Sequence, residues 1–127
     1  MDINELDGKY SVNTMSDYDG PLQKKSDGIT NIKNGATHRI DAAGCEWRST
    51  FTVQNEGEVK MTSVADPSNA NRDFLLTKPN GDPTSEPVTY ETILKLQRKG
   101  DKIQMTGRIN YGKEIVIITM RRLGPPE

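Results

Sequence analysis

The chain has one cysteine, one histidine and one tryptophan, and aromatic residues make up only 6% of it. A lone Cys45 cannot close an internal disulfide, so a reducing, cytoplasmic setting is expected and Cys45 itself reads as a small buried hydrophobe. His38 has no cysteine or carboxylate partners at metal-ligand spacing, which gives no zinc pattern and no cofactor expectation. There is no Gly-X-Ser-X-Gly elbow, phosphate loop or Gly-X-Gly-X-X-Gly turn. An enzyme is therefore not expected; the alternative is a loop-borne active site near His38. Charge of one sign is also lacking. Seventeen basic and 18 acidic residues leave a net charge of −1, with no electrostatic reason to expect nucleic acid or an anionic membrane as partner. No apolar run approaches the ~18 residues of a membrane-spanning helix, and the acidic start Met1-Asp2-Ile3-Asn4-Glu5 lacks the pattern of a signal peptide. With hydrophobic residues at 32% of 127, a modest core in one domain (1–127) is expected, with 1–7 and 123–127 as frayed ends.

What the chain does have is alternation. Cys45, Trp47, Ser49, Phe51 and Val53 share one face of a strand, and after the turn at Asn55-Glu56-Gly57 so do Val59, Met61, Ser63 and Ala65. The pattern returns at Val88–Leu96, Ile103–Ile109 and Ile115–Thr119, and earlier at Gly8–Met15, where Tyr10, Val12 and Thr14 face inward. Ile29–Lys33 and Ala36–Asp41 flank Asn34-Gly35, the strongest short hairpin signal in the chain, which would set Asn31 opposite His38 and Ile29 opposite Ile40. The reading is an all-β fold: an antiparallel up-and-down meander of about eight strands closing into a small barrel. At most one short helical turn is expected, near Asp66-Pro67, where an irregular strand is the alternative. Asp17–Lys25 and Pro79–Pro87 read as loops.

Two turns set the expected register. A two-residue loop at Lys99-Gly100 places Leu96 opposite Ile103 and Thr92 opposite Gly107. A three-residue loop at Tyr111-Gly112-Lys113 places Ile109 opposite Ile115 and Met105 opposite Thr119. The inward row is then mixed in chemistry, since pairing Val53 with Val59 sets Ser49 opposite Ser63. Either these small and hydroxyl residues leave a cavity, or they bond to backbone and water inside a filled core. The cavity reading gives a non-enzymatic binder of a small, partly apolar ligand. Its wall would be Trp47, Ser49, Phe51, Ser63, Tyr90, Thr92, Met105, Thr119 and Arg121, with Arg39, Arg98 and Arg121 near the inward side or rim as possible acceptors of an anionic group. On the outer face the same register aligns Ile93, Val116, Ile118 and Met120 in an apolar stripe. That stripe is either covered by Phe74-Leu75-Leu76 or is the contact of a homodimer or partner, the rival function.

Gly8-Lys9-Tyr10 at the start of the first strand, the antiparallel meander, and Arg121 closing the last strand resemble the calycin barrels (lipocalins and fatty-acid-binding proteins). Lipocalins usually carry Trp where this chain has Tyr10. The resemblance implies ligand binding in the barrel interior, with Tyr10 and Arg121 packed across the closed end.

Overall fold

The computed structural model describes residues 3–17, 23–41, 43–70, 75–112 and 114–127. A 3-10 turn at Ile3–Leu6 precedes β1 (Gly8–Ser16), β2 (Gln23–Ile32), β3 (Ala36–Ile40), β4 (Glu46–Asn55) and β5 (Glu58–Asp66). Then follow β6 (Leu76–Thr77), β7 (Pro83–Thr84), β8 (Val88–Lys99), β9 (Lys102–Asn110) and β10 (Ile115–Gly124). Eight strands form one antiparallel sheet in the order β2-β1-β10-β9-β8-β5-β4-β3, and β6 pairs with β7 in the long β5–β8 connection. The two edges of the sheet, β2 and β3, are joined by the Asn34-Gly35 turn. The sheet therefore curls until its edges approach, giving a nearly closed all-β barrel.

That last junction explains why the closure stays partial. Asn34 and Gly35 have φ of 53° and 73°, the two positive values a type I′ turn requires. The Asp7 carboxylate fixes the turn: Oδ2 accepts the Asn34 amide at 2.7 Å and Oδ1 the Gly35 amide at 3.0 Å. Beyond a bridge between Lys33 and Ala36, however, the expected hairpin does not zip, and Asn31 does not pair with His38 nor Ile29 with Ile40. β2 hydrogen-bonds to β1, from Ile32 opposite Gly8 to Gln23 opposite Ser16, while β3 follows β4, from Ala36 opposite Thr50 to Ile40 opposite Glu46. Each strand keeps its ladder with its other neighbour, while the rungs between β2 and β3 stop at Lys33 and Ala36. A slit opens between them.

The β4–β5 register is the expected one, with Val53 opposite Val59 and Ser49 opposite Ser63. The other two expected registers require correction. At the β8–β9 turn the ladder runs from Lys99 opposite Lys102 through Arg98 opposite Ile103 to Leu96 opposite Met105. The loop is Gly100-Asp101, two positions out of step with the expectation, and a slip of two leaves every side chain on its expected face. Thr92 is consequently not opposite Gly107. Its hydroxyl donates to the Arg108 carbonyl, and Gly107 presses on the neighbouring strand: a Cβ there would lie 2.6 Å from Leu94 Cδ2 and 3.1 Å from the Ile93 oxygen.

At the β9–β10 turn the slip is one residue, and its effect is the opposite. The Tyr111 amide donates to the Glu114 carbonyl at 3.0 Å, making a four-residue loop with Asn110 opposite Ile115, Ile109 opposite Val116 and Met105 opposite Met120. Every residue of β10 thus faces the side opposite to expectation. Val116 and Met120, expected on the outside, are each 3% exposed. Thr119 and Arg121, expected inside, lie on the outer face beside Thr106 and Gln104. The apolar stripe does not exist, since of its residues only Ile93, 43% exposed, lies outside. Burying Val116, Ile118 and Met120 instead of Thr119 and Arg121 keeps a guanidinium in water, where its hydration costs nothing.

Part of the stretches expected to fray makes defined contacts. Leu6 is fully buried with Tyr10 and Ile32, and Tyr10 donates its hydroxyl to the Leu6 carbonyl at 2.7 Å. Glu127 pairs with Lys9, and its amide donates to Asn31 Oδ1 at 3.0 Å. Opposite Tyr10 across the β1–β10 ladder stands Arg122, not Arg121, with Arg122 Nε donating to the Asp7 carbonyl at 3.2 Å. In the β5–β8 connection Asp66 accepts the Ser68 amide at 3.0 Å, and the Ala70 amide reaches the Pro67 carbonyl at 2.9 Å. The rest of the expected helical turn, with Phe74, lies outside the described residues. Leu75 is exposed and Leu76 is buried in the core, so neither covers an outer stripe.

Candidate functional site

The strand alternation delivers different side chains to the two ends of the barrel. One end, plugged by Leu6, is filled with Tyr10, Ile32, Val59, Leu94 and Met105, all buried. Toward the other end the inward positions become Ser49, Ser63 and Thr14, and a cavity of about 320 Å³ remains, opening through the slit between β2 and β3. Its walls come from facing strands: Val12 and Thr14 of β1, Thr37 and Arg39 of β3, Trp47, Ser49 and Phe51 of β4, Met61 and Ser63 of β5, with Ile109, Tyr111, Ile118 and Met120 closing the far side. Gly28, Ile29 and Thr30 of β2 form the opposite lip of the slit.

Trp47 is held firmly. Its indole Nε1 donates to Asp41 Oδ2 at 2.9 Å, while Asp41 Oδ1 accepts the amides of Ala43 and Cys45 at 3.0 Å each. Asp41 thus ties the β3–β4 loop and the indole to one carboxylate. Around Trp47 sits an aromatic cluster. Tyr90 stacks on it with centroids 5.8 Å apart, and Tyr111 meets it edge-on at 5.9 Å and meets Tyr90 at 4.8 Å, spacings at which aromatic pairs attract beyond simple burial. The Tyr90 hydroxyl donates to the Thr77 carbonyl at 2.6 Å, anchoring the β6–β7 hairpin across this end. Arg39 lies with its guanidinium 5.1 Å from the Trp47 ring centroid, within cation–π range.

Burial governs ionisation in this cluster. Desolvation pushes the Tyr111 phenol up to about 12, against a smaller lowering by Arg39. Tyr90 is raised for the same reason, with a lesser contribution from Cys45. The Cys45 thiol, fully buried, is raised first by desolvation and then by Asp41 and Asp66, so it sits protonated at neutral pH and is a poor nucleophile. Ser49 and Ser63 satisfy each other across β4 and β5 with their hydroxyl oxygens 2.7 Å apart. Among the described residues Arg39 is the one charged side chain in the lining, and no carboxylate lines it.

Of the nine residues expected to form the wall, Trp47, Ser49, Phe51 and Ser63 line the cavity. Tyr90 and Met105 are buried in the packed core and Thr92 is engaged at the β9 backbone, so these three stand behind or away from it. Thr119 and Arg121 are on the outer surface because of the β10 register. Ile118 and Met120, expected outside, are lining residues instead. The expectation also missed Tyr111, taken as a turn residue, and the wall residues supplied by β1 and β2. A signal for the β10 inversion exists in the sequence: the even positions Val116, Ile118 and Met120 are uniformly apolar, whereas the odd ones include Thr119 and Arg121. His38 is on the outer face, exposed, with Nε2 3.5 Å from Glu46 Oε2; Glu46 also holds Arg48 Nε at 2.7 Å. Among the described residues there is no group of three or more His, Cys, Asp or Glu placed to hold a metal ion, and no helix long and apolar enough to cross a membrane. Comparison with protein-family models, with curated proteins and with solved structures returns no match.

Proposed function

We propose that this chain is a non-enzymatic, cytoplasmic binding protein that takes a small, partly apolar molecule into the barrel interior through the slit between β2 and β3. The observation that carries the reading is the cavity itself: about 320 Å³ left unfilled among Trp47, Phe51, Ser49, Ser63 and Tyr111, in a chain whose other end is packed solid. Its volume is at the low end of small-molecule sites, and a mainly apolar wall with a few convergent polar groups is their usual composition. Trp47, Phe51 and Met61 offer faces for a planar or branched apolar body. The Ser49–Ser63 pair can turn one hydroxyl to a ligand oxygen without breaking its own bond, because each hydroxyl carries two acceptor sites and a rotatable donor. Arg39 at the mouth adds a cation with no carboxylate opposing it among the described lining residues, which favours a ligand whose polar end is neutral or anionic and disfavours a cationic one. The likeness to calycin barrels is of strand topology, and the proposal stands on the cavity without it.

Trp47 is the only tryptophan and touches the cavity, so its fluorescence reports occupancy directly. Titration with N-phenyl-1-naphthylamine, a neutral aromatic probe, is expected to quench Trp47 saturably at one site per chain. Ser63→Leu, which fills the space, is expected to abolish the quenching while the protein remains folded. A linear, unsaturable response in the wild-type chain, or binding unchanged in Ser63→Leu, would overturn the proposal.

A further inference from the structure

At the end of the barrel away from the cavity, β8, β9 and β10 run together into a second concavity of about 360 Å³. It is lined by Gln97, Arg98, Lys99, Lys102, Ile103, Gln104, Arg121 and Arg122. Five of its eight lining residues are cations, in a chain whose net charge is −1. The register sharpens the anomaly. Lys99 stands directly opposite Lys102, a like-charge cross-strand pair that destabilises a sheet, and Arg121 stands opposite Gln104 on the same outer face. One carboxylate answers the cluster: Glu5 reaches Arg98 Nη1 at 3.2 Å. Asp7 is bonded to the amides of Asn34 and Gly35, and Asp101 lies exposed in the turn. Among the described residues Lys99, Lys102, Arg121 and Arg122 have no ion-pair partner.

The guanidiniums are nevertheless positioned. Arg98 Nε donates to the Gly100 carbonyl at 3.1 Å, Arg121 Nε to Gln104 Oε1 at 3.1 Å, and Arg122 Nε to the Asp7 carbonyl at 3.2 Å. In each case the inner nitrogen is tied to a neutral oxygen. Planar, fixed guanidiniums flanked by lysine point charges are the combination that recognises phosphate oxygens. From this geometry we propose that the groove is a binding site for a small polyphosphorylated molecule, separate from the barrel cavity. The size favours a short polyanion. The groove is confined to the β8–β9 turn region and Arg121 and Arg122 of β10, with Glu5 bonded to Arg98 and Asp101 in the turn itself.

The test uses inorganic tripolyphosphate as probe, followed by calorimetry and by backbone amide NMR at constant ionic strength. One-to-one saturable binding is expected, with shifts confined to Gln97–Gln104 and Arg121–Leu123. The double variant Lys102→Glu/Arg121→Glu is expected to lose at least about tenfold in affinity, whereas Arg39→Gln, in the other site, leaves it unchanged. Should the charge reversal impair folding, Lys102→Gln/Arg121→Gln replaces it with the same expectation. Without the probe, Lys102→Glu is expected to raise the melting temperature by relieving the Lys99 repulsion. Shifts scattered over lysines elsewhere, absence of saturation, retained affinity in a folded double variant, or binding of a single-stranded oligonucleotide but not of tripolyphosphate would each overturn the proposal.

Discussion

The two ends of the barrel are built from the same strands and the same alternation, yet one is solid and the other hollow. At the Leu6 end the inward positions carry large apolar residues, Tyr10, Ile32, Val59, Leu94 and Met105, and a 3-10 turn adds Leu6 as a plug. At the Trp47 end the inward hydroxyls of Thr14, Ser49 and Ser63 stop short of the axis, and the aromatic cluster lines the space without filling it. A chain with a small apolar fraction does not fill a barrel of eight strands uniformly. Concentrating apolar volume at one end lets that end carry stability, while the other keeps room and hydrogen-bonding groups. The solid end should therefore be sensitive to truncation, and the hollow end tolerant of it.

The largest effect is expected from Leu6→Ala. Removing a fully buried leucine side chain costs about 3 kcal/mol through lost transfer energy and the hole left behind, read as a fall in the urea midpoint. A change below about 1 kcal/mol would mean that the plug is not part of the core. Next comes Gly107→Val, whose Cβ meets Leu94 and the Ile93 carbonyl at 2.6 and 3.1 Å. Overpacking of this kind costs about 1–3 kcal/mol, measured by the same denaturation, and β8 would have to move for the site to accept it. Asp7→Ala removes the acceptor of two turn amides and is expected to destabilise by about 1–2 kcal/mol, with hydrogen exchange accelerated first at Asn34 and Gly35.

Alkaline titration compares the two ends again. Tyr10 at the solid end and Tyr111 at the hollow end are both raised to about 12, in each case mainly by burial. Below pH 10 both are protonated in the folded and unfolded chains, and stability does not depend on them. Above the unfolded value of 10.0 the unfolded chain loses these protons first, so stability falls as pH rises from about 10 to about 12. Tyr10→Phe is expected to flatten this slope, followed by chemical denaturation across that interval; an unchanged slope would place the Tyr10 hydroxyl in water. The smallest effect belongs to the hollow end. Ser63→Ala alone is expected to cost about 1 kcal/mol or less, and the double variant Ser49→Ala/Ser63→Ala little more, since the two hydroxyls serve chiefly each other. Strict additivity of two full penalties in a double-mutant cycle would break the inferred pairing.

Much of the architecture was legible because period-two patterns are strong where one face is polar. β4 and β5 alternate cleanly between Trp47, Ser49, Phe51 and Glu46, Arg48, Thr50, and their register follows from Val53 and Val59 flanking a tight turn. β10 defeated the same reasoning. Ile115, Val116, Ile117 and Ile118 are apolar on both faces, so only Thr119, Met120 and Arg121 carry a periodic signal, and that short signal is outweighed where the Tyr111 turn is read as three residues instead of four. One residue in that loop exchanged Arg121 for Met120, took Thr119 and Arg121 out of the expected wall and dissolved the expected interface. The slit was illegible for another reason: Asn34-Gly35 specifies a turn, but not how far the hairpin beyond it zips, which depends on the courses that β2 takes along β1 and β3 along β4. Leu6 gave no periodic signal because a single plugging residue has no period.

Methyl-resolved NMR during a titration with the neutral naphthylamine tests the hollow end and the β10 register at once. Saturable shifts are expected at Ile109, Ile118, Met61 and Met120, with Ile103, Ile115 and Ile117 silent. Shifts at Ile117 in place of Ile118, or no saturable shift at any methyl, would contradict the description of this barrel as hollow beside Trp47.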